Sequence, residues 1–225
     1  MCGRYTLTSV DGMIEEFALA QAEVRFAPRY NIAPGERLPV IDNRPRDRRH
    51  LVPMHWGLVP HWARDRKPLI NARCETLAEK PSFREAYRRR RCLVVADGFY
   101  EWRRRGRERT AFYMRRRTRR PLGFAAVFEA RKSPEGRPQV GFAVVTTEAN
   151  ALMAPIHDRM PVIVEPADYD RWLAPQPLPP TALTDILVPP STEGFELFEV
   201  SSLVHSVAHD SPACIEPGPL QGRLF

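Results

Sequence analysis

The second residue of the chain, Cys2, carries the most reactive chemistry in the sequence, provided that Met1 is removed. An N-terminal cysteine then holds a free α-amine and a thiol on adjacent carbons, and this 1,2-aminothiol condenses with aldehydes to close a thiazolidine ring. The ordinary pKa of the α-amine, about 8, leaves a useful neutral fraction near pH 7. The same residue could instead be the N-terminal nucleophile of a hydrolase, with its own amine as the base. A cysteine at position 2 without any function is the third interpretation.

Two further segments place a titratable side chain where it can move protons. The segment 98–102 alternates as a strand does, so Glu101 shares a face with Phe99 in a partly apolar setting. Such a carboxyl has a raised pKa and can shuttle protons, whereas the alternative is an exposed glutamate at a hairpin end. His157 stands beside Asp158 and can serve as an acid or a base, or else as a structural histidine.

Aromatic and histidine residues raise two more possibilities. The segment 55–62 holds rings, Trp62 among them, that can stack on unpaired bases, although Trp56 could simply be a core residue. His205 and His209 have the i, i+4 spacing of some metal ligands, but no third ligand stands with them and no convincing helix is predicted there. The sequence therefore predicts no metal site, and nothing in it indicates a cofactor.

The composition is that of a basic globular protein. The 225 residues suit one domain, the hydrophobic fraction is 43%, and no apolar run is long enough for a membrane span. The net charge is +7, and the basic residues are arginine except for Lys67, Lys80 and Lys132. Arginine binds phosphate bidentately and stacks on bases, which favours a nucleic-acid partner, although a GC-rich genome would also favour arginine over lysine.

The cysteines and the first residues bear on the compartment. The four cysteines are widely spaced and form no CxxC pair, which argues against a zinc ribbon or a thioredoxin-like site. Charged residues interrupt any apolar stretch near the N-terminus, so no signal peptide is predicted. We expect a cytoplasmic protein with reduced thiols that associates with the nucleoid when it is bound to DNA.

Periodicity predicts a loop-rich α+β fold in a single domain, 1–225, with a loop-like tail of about ten residues. Strands are predicted at 37–42, 50–56, 92–96, 98–102, 110–115, 122–129, 140–146, 161–164 and 195–200, and the run from 92 to 146 is interpreted as a meander of hairpins. Helices are predicted at 11–20, 82–90, 167–173 and 181–187.

Six short motifs occur in order along the chain: Met1-Cys2-Gly3-Arg4-Tyr5, Tyr30-Asn31-Ile32-Ala33-Pro34-Gly35, Trp56-Gly57-Leu58-Val59-Pro60, Ile70-Asn71-Ala72-Arg73, Gly98-Phe99-Tyr100-Glu101-Trp102 and His157-Asp158-Arg159-Met160-Pro161. Together they closely resemble the SRAP family, the SOS response-associated peptidases or abasic-site processing proteins. The resemblance runs from Cys2 to about Ile215. It implies a curved, barrel-like, mainly antiparallel sheet with short helices, long loops and a positively charged groove for single-stranded DNA.

The resemblance also implies an activity. In the family Met1 is lost, by self-processing or by an aminopeptidase, and Cys2 forms a covalent thiazolidine with the ring-opened aldehyde of an abasic site. The adduct shields the lesion as part of the DNA damage response. Peptidase activity in self-processing and a lyase activity are implied as well, and a monomer is expected because the fold must admit bulky DNA.

By motif position, the resemblance assigns roles to individual residues. Asn71 orients the amine or the sugar, Glu101 moves protons, and His157 protonates the oxygen side of the sugar or imine. Contacts to DNA are implied for the remaining matched positions: Arg4, Pro34, Trp62, Arg73, Thr146 and Arg159. One position departs from the family pattern, because His205 stands where the pattern has asparagine, and this puts local contacts of the C-terminal loop in question.

Two rival functions remain open at the level of sequence. A thiol peptidase would use Cys2 as nucleophile and His157 as base, with Glu101 or Asn71 in support, acting on peptides or on its own N-terminus. A non-catalytic single-strand binder would use only the basic and aromatic surface. Covalent capture of DNA through Cys2 is expected of an abasic-site processing protein and of neither rival, so it distinguishes the three functions.

Overall fold

The regular secondary structure is mainly β-strand. The structure, a computed structural model, describes residues 2–9, 12–20, 26–44, 49–63, 67–132, 136–179 and 181–218. Its strands are β1 (Tyr5–Leu7), β2 (Arg29–Ile32), β3 (Arg37–Asp42), β4 (Leu51–Trp56), β5 (Asn71–Arg73), β6 (Arg91–Ala96), β7 (Gly98–Arg105), β8 (Glu108–Arg116), β9 (Leu122–Lys132), β10 (Pro138–Glu148), β11 (Arg159–Pro161), β12 (Ile163–Val164) and β13 (Phe195–Glu199). The helices are short, namely α1 (Met13–Glu16), α2 (Arg84–Arg89) and α3 (Tyr169–Trp172), with 3-10 helices at Cys74–Thr76, Pro166–Asp168, Ser202–His205 and Pro212–Cys214.

Five strands close into a small barrel. β3 pairs with β4 and β6, β9 pairs with β6 and β10, and β10 returns to β4 in a parallel pairing. The parallel contact brings the backbone of Gly141 so close to Gly57 that a Cβ would lie 2.3 Å from the Gly57 carbonyl oxygen. Only glycine fits this approach. Closure pairs both edges of every strand in the ring, which removes the free edges of an open sheet.

β10 also pairs with β5, the short strand that holds Asn71. Beyond its contact with β4, β10 pairs in parallel with β5, so that Asn71 lies opposite Val144 and Arg73 opposite Thr146. β11 pairs with the other edge of β10 over the same stretch, with Met160 opposite Thr147. The three strands thus bring residues near 71, 146 and 159 into one neighbourhood.

A second sheet, in the order β13-β8-β7-β1-β2, packs against the barrel. Its centre is the β7–β8 hairpin, in which Glu101 lies opposite Phe112 and Trp102 opposite Ala111. Phe99 belongs to the main core shared with the barrel. Trp102 belongs to a second apolar cluster, which the C-terminal residues Val200, Val204 and Cys214 help to build. The sheet therefore has an inner face and an outer face that the C-terminal segment partly covers.

A fully buried arginine joins the end of α2 to the segment after α3. The Arg91 guanidinium donates hydrogen bonds to the backbone carbonyls of Tyr87, Arg88, Trp172, Ala174 and Gln176. Burial lowers the pKa of Arg91 to about 10, so the group remains charged at neutral pH. Because its hydrogen-bond acceptors among the described residues are backbone carbonyls, the charge is stabilised there by hydrogen bonds rather than by a carboxylate.

The fold class and most strands predicted from the sequence are confirmed. Strands at 37–42, 92–96 and 98–102 occur where they are expected, and those at 110–115, 122–129 and 140–146 are longer than expected. The helix expected at 82–90 is Arg84–Arg89, and that at 167–173 is a 3-10 turn followed by α3. The extent of a single domain, 1–225, stays a prediction, and much of the expected C-terminal tail lies outside the described residues.

Three expectations are wrong in part. The run from 92 to 146 is not one meander, because β6, β9 and β10 belong to the barrel while β7 and β8 belong to the second sheet. The segment 181–186 forms successive turns rather than a helix; its buried Leu183 and Ile186 give the apolar spacing of a helix, but turns bury the same pair. The helix expected at 11–20 spans only Met13–Glu16 within the described residues. No helix in the described part of the chain is long and apolar enough to cross a membrane.

Candidate functional site

Cys2 is fully buried at the start of the second sheet. Its carbonyl oxygen accepts a hydrogen bond of 2.8 Å from Asn71 Nδ2, and the carbonyl of Arg4 accepts one of 3.0 Å from the Tyr100 amide. Tyr5, which is also buried, packs its ring 5.2 Å from that of Trp56. The first residues are therefore fixed between β5 on one side and β7 on the other.

Asn71 is positioned by the barrel. Trp56 Nε1 donates to the Ile70 carbonyl at 2.9 Å, and the Val144 amide donates to the same oxygen at 3.0 Å. While Nδ2 binds Cys2, Asn71 Oδ1 is buried and has no hydrogen-bond partner among the described residues. Buried amide oxygens are seldom left unsatisfied, so this atom is an acceptor available to an incoming group beside Cys2.

Glu101 projects from β7 toward the same place and is only 2% exposed. Burial raises the pKa of its carboxyl, and the nearby His157 opposes part of that rise. Burial, together with the negative charge of Glu101, raises the pKa of the Cys2 thiol well above its usual range. The two groups are therefore electrostatically coupled: the thiol is protonated at neutral pH, and the carboxyl beside it has an increased proton affinity.

His157 is held by the loop before β11. Its amide donates to the Met153 carbonyl at 3.1 Å, and its Nδ1 accepts from the Arg159 amide at 2.9 Å. This bond places the proton of the neutral ring on Nε2. Asp158 Oδ1 lies 2.9 Å from the same Nδ1 and becomes its partner once that nitrogen is protonated. The ring can thus donate through Nε2 in either protonation state.

Arg159 ties the His157 loop to the segment that follows Asn71. Its guanidinium binds both carboxylate oxygens of Glu75, at 2.5 and 3.0 Å, and donates to the Thr146 carbonyl at 2.7 Å. The hydrogen bonds from Arg159 hold the pKa of Glu75 below its usual range. Thr146 is fully buried, and Arg159 is 8% exposed. These two predicted DNA ligands are engaged inside the protein, and a contact from either to DNA stays a prediction.

Arg4 points away from Cys2, toward the outer face of the second sheet. Its Nη1 donates to Asn31 Oδ1 at 2.6 Å and to the Val204 carbonyl at 3.1 Å. Its guanidinium carbon lies 5.8 Å from the centre of the Trp102 ring. Asn31 in turn donates to the carbonyls of Ser206 and His209, so it fixes both Arg4 and the C-terminal loop.

The remaining predicted DNA ligands are on the surface. Pro34 and Arg73 are exposed, and Trp62 is 46% exposed, a high value for an indole ring. Exposed cations and rings are the side chains that a nucleic-acid strand contacts. Their roles stay predictions, but their positions leave them accessible.

The structure adds residues that sequence patterns missed. Asn31 lies inside one of the six motifs and Glu75 lies two residues after another, but nothing local indicated that Glu75 would bind Arg159 or that Asn31 would bind Arg4. Such pairs, 84 and 27 residues apart, are visible only once the strands are paired. Across the described residues, no cluster of three or more His, Cys, Asp and Glu side chains suits a metal ion.

Comparisons with known proteins define the family. Residues 1–207 match the family described as SOS response associated peptidase (SRAP). The chain is 40% identical over 223 residues to "Abasic site processing protein YoqW" of Bacillus subtilis (strain 168), which covers 96% of this chain and 99% of that protein. It is 32% identical over 182 residues to "Abasic site processing protein YedK" of Escherichia coli (strain K12), which covers 77% of this chain and 79% of that protein.

A solved structure agrees with the observed architecture. A protein from Bacteroides thetaiotaomicron superposes with a TM-score of 0.85 at 24% identity, covering 97% of this chain and all of that one, which shows a common fold. The family match over most of the chain, together with the 40% identity to YoqW, decides the classification. The chain belongs to the SRAP family.

Proposed function

We propose that this chain processes abasic sites: it binds single-stranded DNA and, once Met1 is removed, captures the ring-opened aldehyde of the lesion as a thiazolidine on Cys2. The observation that carries the proposal is the contact between Asn71 and Cys2. Asn71 holds the Cys2 backbone through Nδ2 and presents an unoccupied Oδ1 beside it. The names of the relatives point to the same lesion.

The proposed reaction balances without any cofactor. The α-amine of Cys2 adds to C1 of the sugar aldehyde, and loss of one water molecule gives an imine. The thiol then adds across the C=N bond, so that sulfur bonds to C1 and the thiol proton ends on nitrogen. One aldehyde and one aminothiol give one thiazolidine and one water, with no change of oxidation state.

The three polar neighbours of Cys2 suit separate steps. Asn71 Oδ1 accepts a hydrogen bond from the α-amine of Cys2. This bond orients the amine so that the lone pair of its nitrogen points at the aldehyde carbon. Glu101 accepts the thiol proton and returns it to the nitrogen, a role favoured by its raised pKa and by its coupling to the thiol. His157 Nε2–H donates to the sugar oxygen as the ring opens, and the same contact assists reversal.

Burial would keep the free Cys2 thiol unreactive, and closure of the ring would then protect the lesion. A neutral, desolvated thiol does not react with passing electrophiles, since only the thiolate is strongly nucleophilic. Ring closure removes the imine, which is the species that promotes β-elimination and strand cleavage. The lesion is therefore held intact rather than cut.

The thiol peptidase is the less favoured alternative. Activated cysteine nucleophiles have lowered pKa values and are partly exposed, whereas Cys2 is fully buried and its pKa is raised. Removal of Met1 by these same groups is compatible with both functions, because it needs to occur only once. A lyase activity would follow if the imine persisted, and thiol addition competes with it.

Intact-mass measurement of the purified protein tests the proposal. The N-terminus should begin at Cys2, and incubation with an abasic single strand should add the oligonucleotide mass minus one water. Cys2→Ala retains the amine but lacks the thiol, so it should give strand nicking and no stable adduct, while Cys92→Ala, another buried cysteine, should cross-link normally. A stable adduct from Cys2→Ala, or active protein that retains Met1, would overturn the scheme.

A further inference from the structure

Tyr5 carries a buried hydroxyl group that the proposed reaction does not yet use. The residue is 0% exposed, and its hydroxyl oxygen has no hydrogen-bond partner among the described residues. A buried tyrosine hydroxyl usually finds a partner, and an exception indicates a place where another group completes the network. Tyr5 follows Cys2 by three residues, and both belong to the main core, so the vacant hydroxyl lies in the part of the molecule where the reaction is proposed.

The register of the second sheet places the Tyr5 side chain on the same face as Glu101. Tyr5 lies directly opposite Phe99 in the antiparallel pairing of β1 with β7. Directly opposed residues of an antiparallel pair share a face, and so do residues two positions apart on one strand. Tyr5, Phe99 and Glu101 therefore project from the inner face of the sheet, and Glu101 is the diagonal neighbour of Tyr5.

Aromatic packing holds the Tyr5 ring in place. Its centre lies 5.2 Å from that of Trp56, with the rings tilted by 54°, and 6.1 Å from that of Phe124 in an edge-to-face arrangement. Trp56 also donates from Nε1 to the Ile70 carbonyl, the residue before Asn71. The same indole therefore supports both the Tyr5 ring and the backbone that positions Asn71 against Cys2, and close packing leaves the hydroxyl little freedom.

The Tyr5 hydroxyl and the Cys2 thiol are also coupled electrostatically. Burial raises the pKa of Tyr5 well above its usual range, and the negative charge of an ionised Cys2 thiol is the next largest contribution, ahead of that of Glu36. The hydroxyl therefore keeps its proton at neutral pH and can act only as a donor toward a negative charge. Conversely, a negative charge that develops on the sulfur is stabilised by this donor in a medium of low polarity.

We infer that Tyr5 is a further catalytic residue, whose hydroxyl donates a hydrogen bond to the Cys2 sulfur while the thiazolidine ring closes. The inference rests on the proposed function. In this step the thiol proton passes to Glu101, the bond from sulfur to C1 forms, the C=N electron pair moves to nitrogen, and nitrogen receives the proton from Glu101. Tyr5 keeps its own proton throughout. A donor held where charge develops only during the reaction lowers the barrier, and it has no charged partner in the resting protein.

Tyr5→Phe tests the inference, because it removes the hydroxyl and keeps the ring. Imine formation uses the amine of Cys2 and ring closure uses its thiol, so the two steps can be timed separately. The protein is mixed with an abasic single strand and quenched with borohydride, which reduces the imine to an amine adduct two hydrogen atoms heavier than the thiazolidine. Intact mass then follows both species. Imine formation should change less than twofold, and ring closure should slow about tenfold, the loss of one hydrogen bond to a charged group.

Tyr169→Phe is the matched control. Tyr169 is 1% exposed and stacks on Phe17, with ring centres 5.0 Å apart, and the charges that act on it come from residues outside the candidate site. This change should leave both steps as they are in the wild type. Thermal melts complete the test: Tyr5→Phe should keep or raise Tm, because the hydroxyl that it removes is unsatisfied in the resting protein. If Tyr5→Phe slows both steps equally, or lowers Tm, the hydroxyl is structural and the inference is overturned.

The wild-type reaction separates this inference from the proposed function. If the wild-type protein forms the thiazolidine and Tyr5→Phe closes the ring at the same rate, the role of Tyr5 is wrong and the proposed function survives. If the wild-type protein forms no adduct at all, the proposed function fails and the inference fails with it. Strand nicking in the same samples, read on a denaturing gel, should increase in Tyr5→Phe because the imine persists for longer.

Discussion

Removal of the Glu75 carboxylate is predicted to loosen β5, which carries Asn71, and the loop that carries His157. Glu75 binds Arg159 through both oxygens, and Arg159 is otherwise held mainly by the Thr146 carbonyl. In Glu75→Ala the guanidinium, whose side chain is 10% exposed, loses its counter-charge. An uncompensated charge in a nearly buried position is destabilising.

The magnitude follows from the partial burial of the pair. A buried hydrogen bond to a charged group contributes about 1.5–3 kcal/mol, and an exposed ion pair about 0.2–1 kcal/mol. Because Arg159 is nearly buried while the Glu75 side chain is 45% exposed, the loss should lie in the lower half of the buried range, at about 2 kcal/mol. For a chain of this size that corresponds to a fall in Tm of about 4–8 °C.

The effect must depend on pH in a defined direction. Arg159 lowers the pKa of Glu75 in the folded state, so its stabilisation is complete above the unfolded-state pKa and is lost as pH falls through the folded-state pKa. The difference in Tm between wild type and Glu75→Ala should therefore be constant near neutral pH and shrink below about pH 4.

Thermal unfolding followed by circular dichroism from pH 3 to 8 measures this difference. Glu79→Ala, which removes an exposed carboxylate from the same segment, is the matched control and should leave Tm unchanged. The rate of adduct formation should fall in Glu75→Ala at temperatures where both proteins are folded, because the side chains of Asn71 and His157 are less well positioned. A Tm difference that persists unchanged at pH 3, or an equal fall in Glu79→Ala, would refute the reasoning.

Three further changes test the structure. Glu101→Gln should raise stability by about 1 kcal/mol at pH 7, because it removes a buried charge, and it should slow cross-linking. Because the pKa of Glu101 is raised, its carboxyl is neutral at low pH and the gain should disappear there. A gain that persists in thermal melts at pH 3 would contradict this prediction. Arg91→Met should cost about 3–5 kcal/mol in urea unfolding, since the backbone carbonyls that Arg91 binds lose their donor; a loss under 1 kcal/mol would show that water replaces it. Gly98→Ala should destabilise by about 1–3 kcal/mol, because its Cβ would meet the Tyr113 hydroxyl at 2.2 Å, whereas in the Gly218→Ala control the nearest neighbours would lie at an ordinary 3.5 Å.

Local patterns predicted those parts of the fold that local forces decide. The alternation of segment 98–102 correctly separates Phe99 on the inner face from Trp102 on the outer face. β1 and β5 are only three residues long, too short for any periodicity to stand out, and they form because the barrel and the hairpin offer edges to pair with. The insertion of the β7–β8 hairpin between β6 and β9 depends on pairings across the chain, which spacing along the chain does not encode.

The residues of the candidate site could be predicted from the sequence, but the contacts between them could not. Residue chemistry singled out Cys2, Glu101 and His157, and the motifs added Asn71. Their convergence depends on the parallel pairing of β5 with β10 and on the bond from Asn71 to Cys2, neither of which any single segment determines. The engagement of Arg159 with Glu75 could not be predicted either, because an arginine in a motif has the same sequence signature whether it faces solvent or a carboxylate.

The bond from Arg4 to the Val204 carbonyl links positions 200 residues apart, and it has a consequence for synthesis. A chain emerging from a ribosome at about 5–20 residues per second needs about 10–40 s to supply the second partner after the first. During that interval the N-terminal residues cannot complete their packing, because the C-terminal loop that Asn31 and Arg4 bind does not yet exist. The bonds that fix Arg4 and Asn31 on the outer face of the second sheet therefore form only after residues 204–209 have been made, and a chain truncated before them should lack this face's packing.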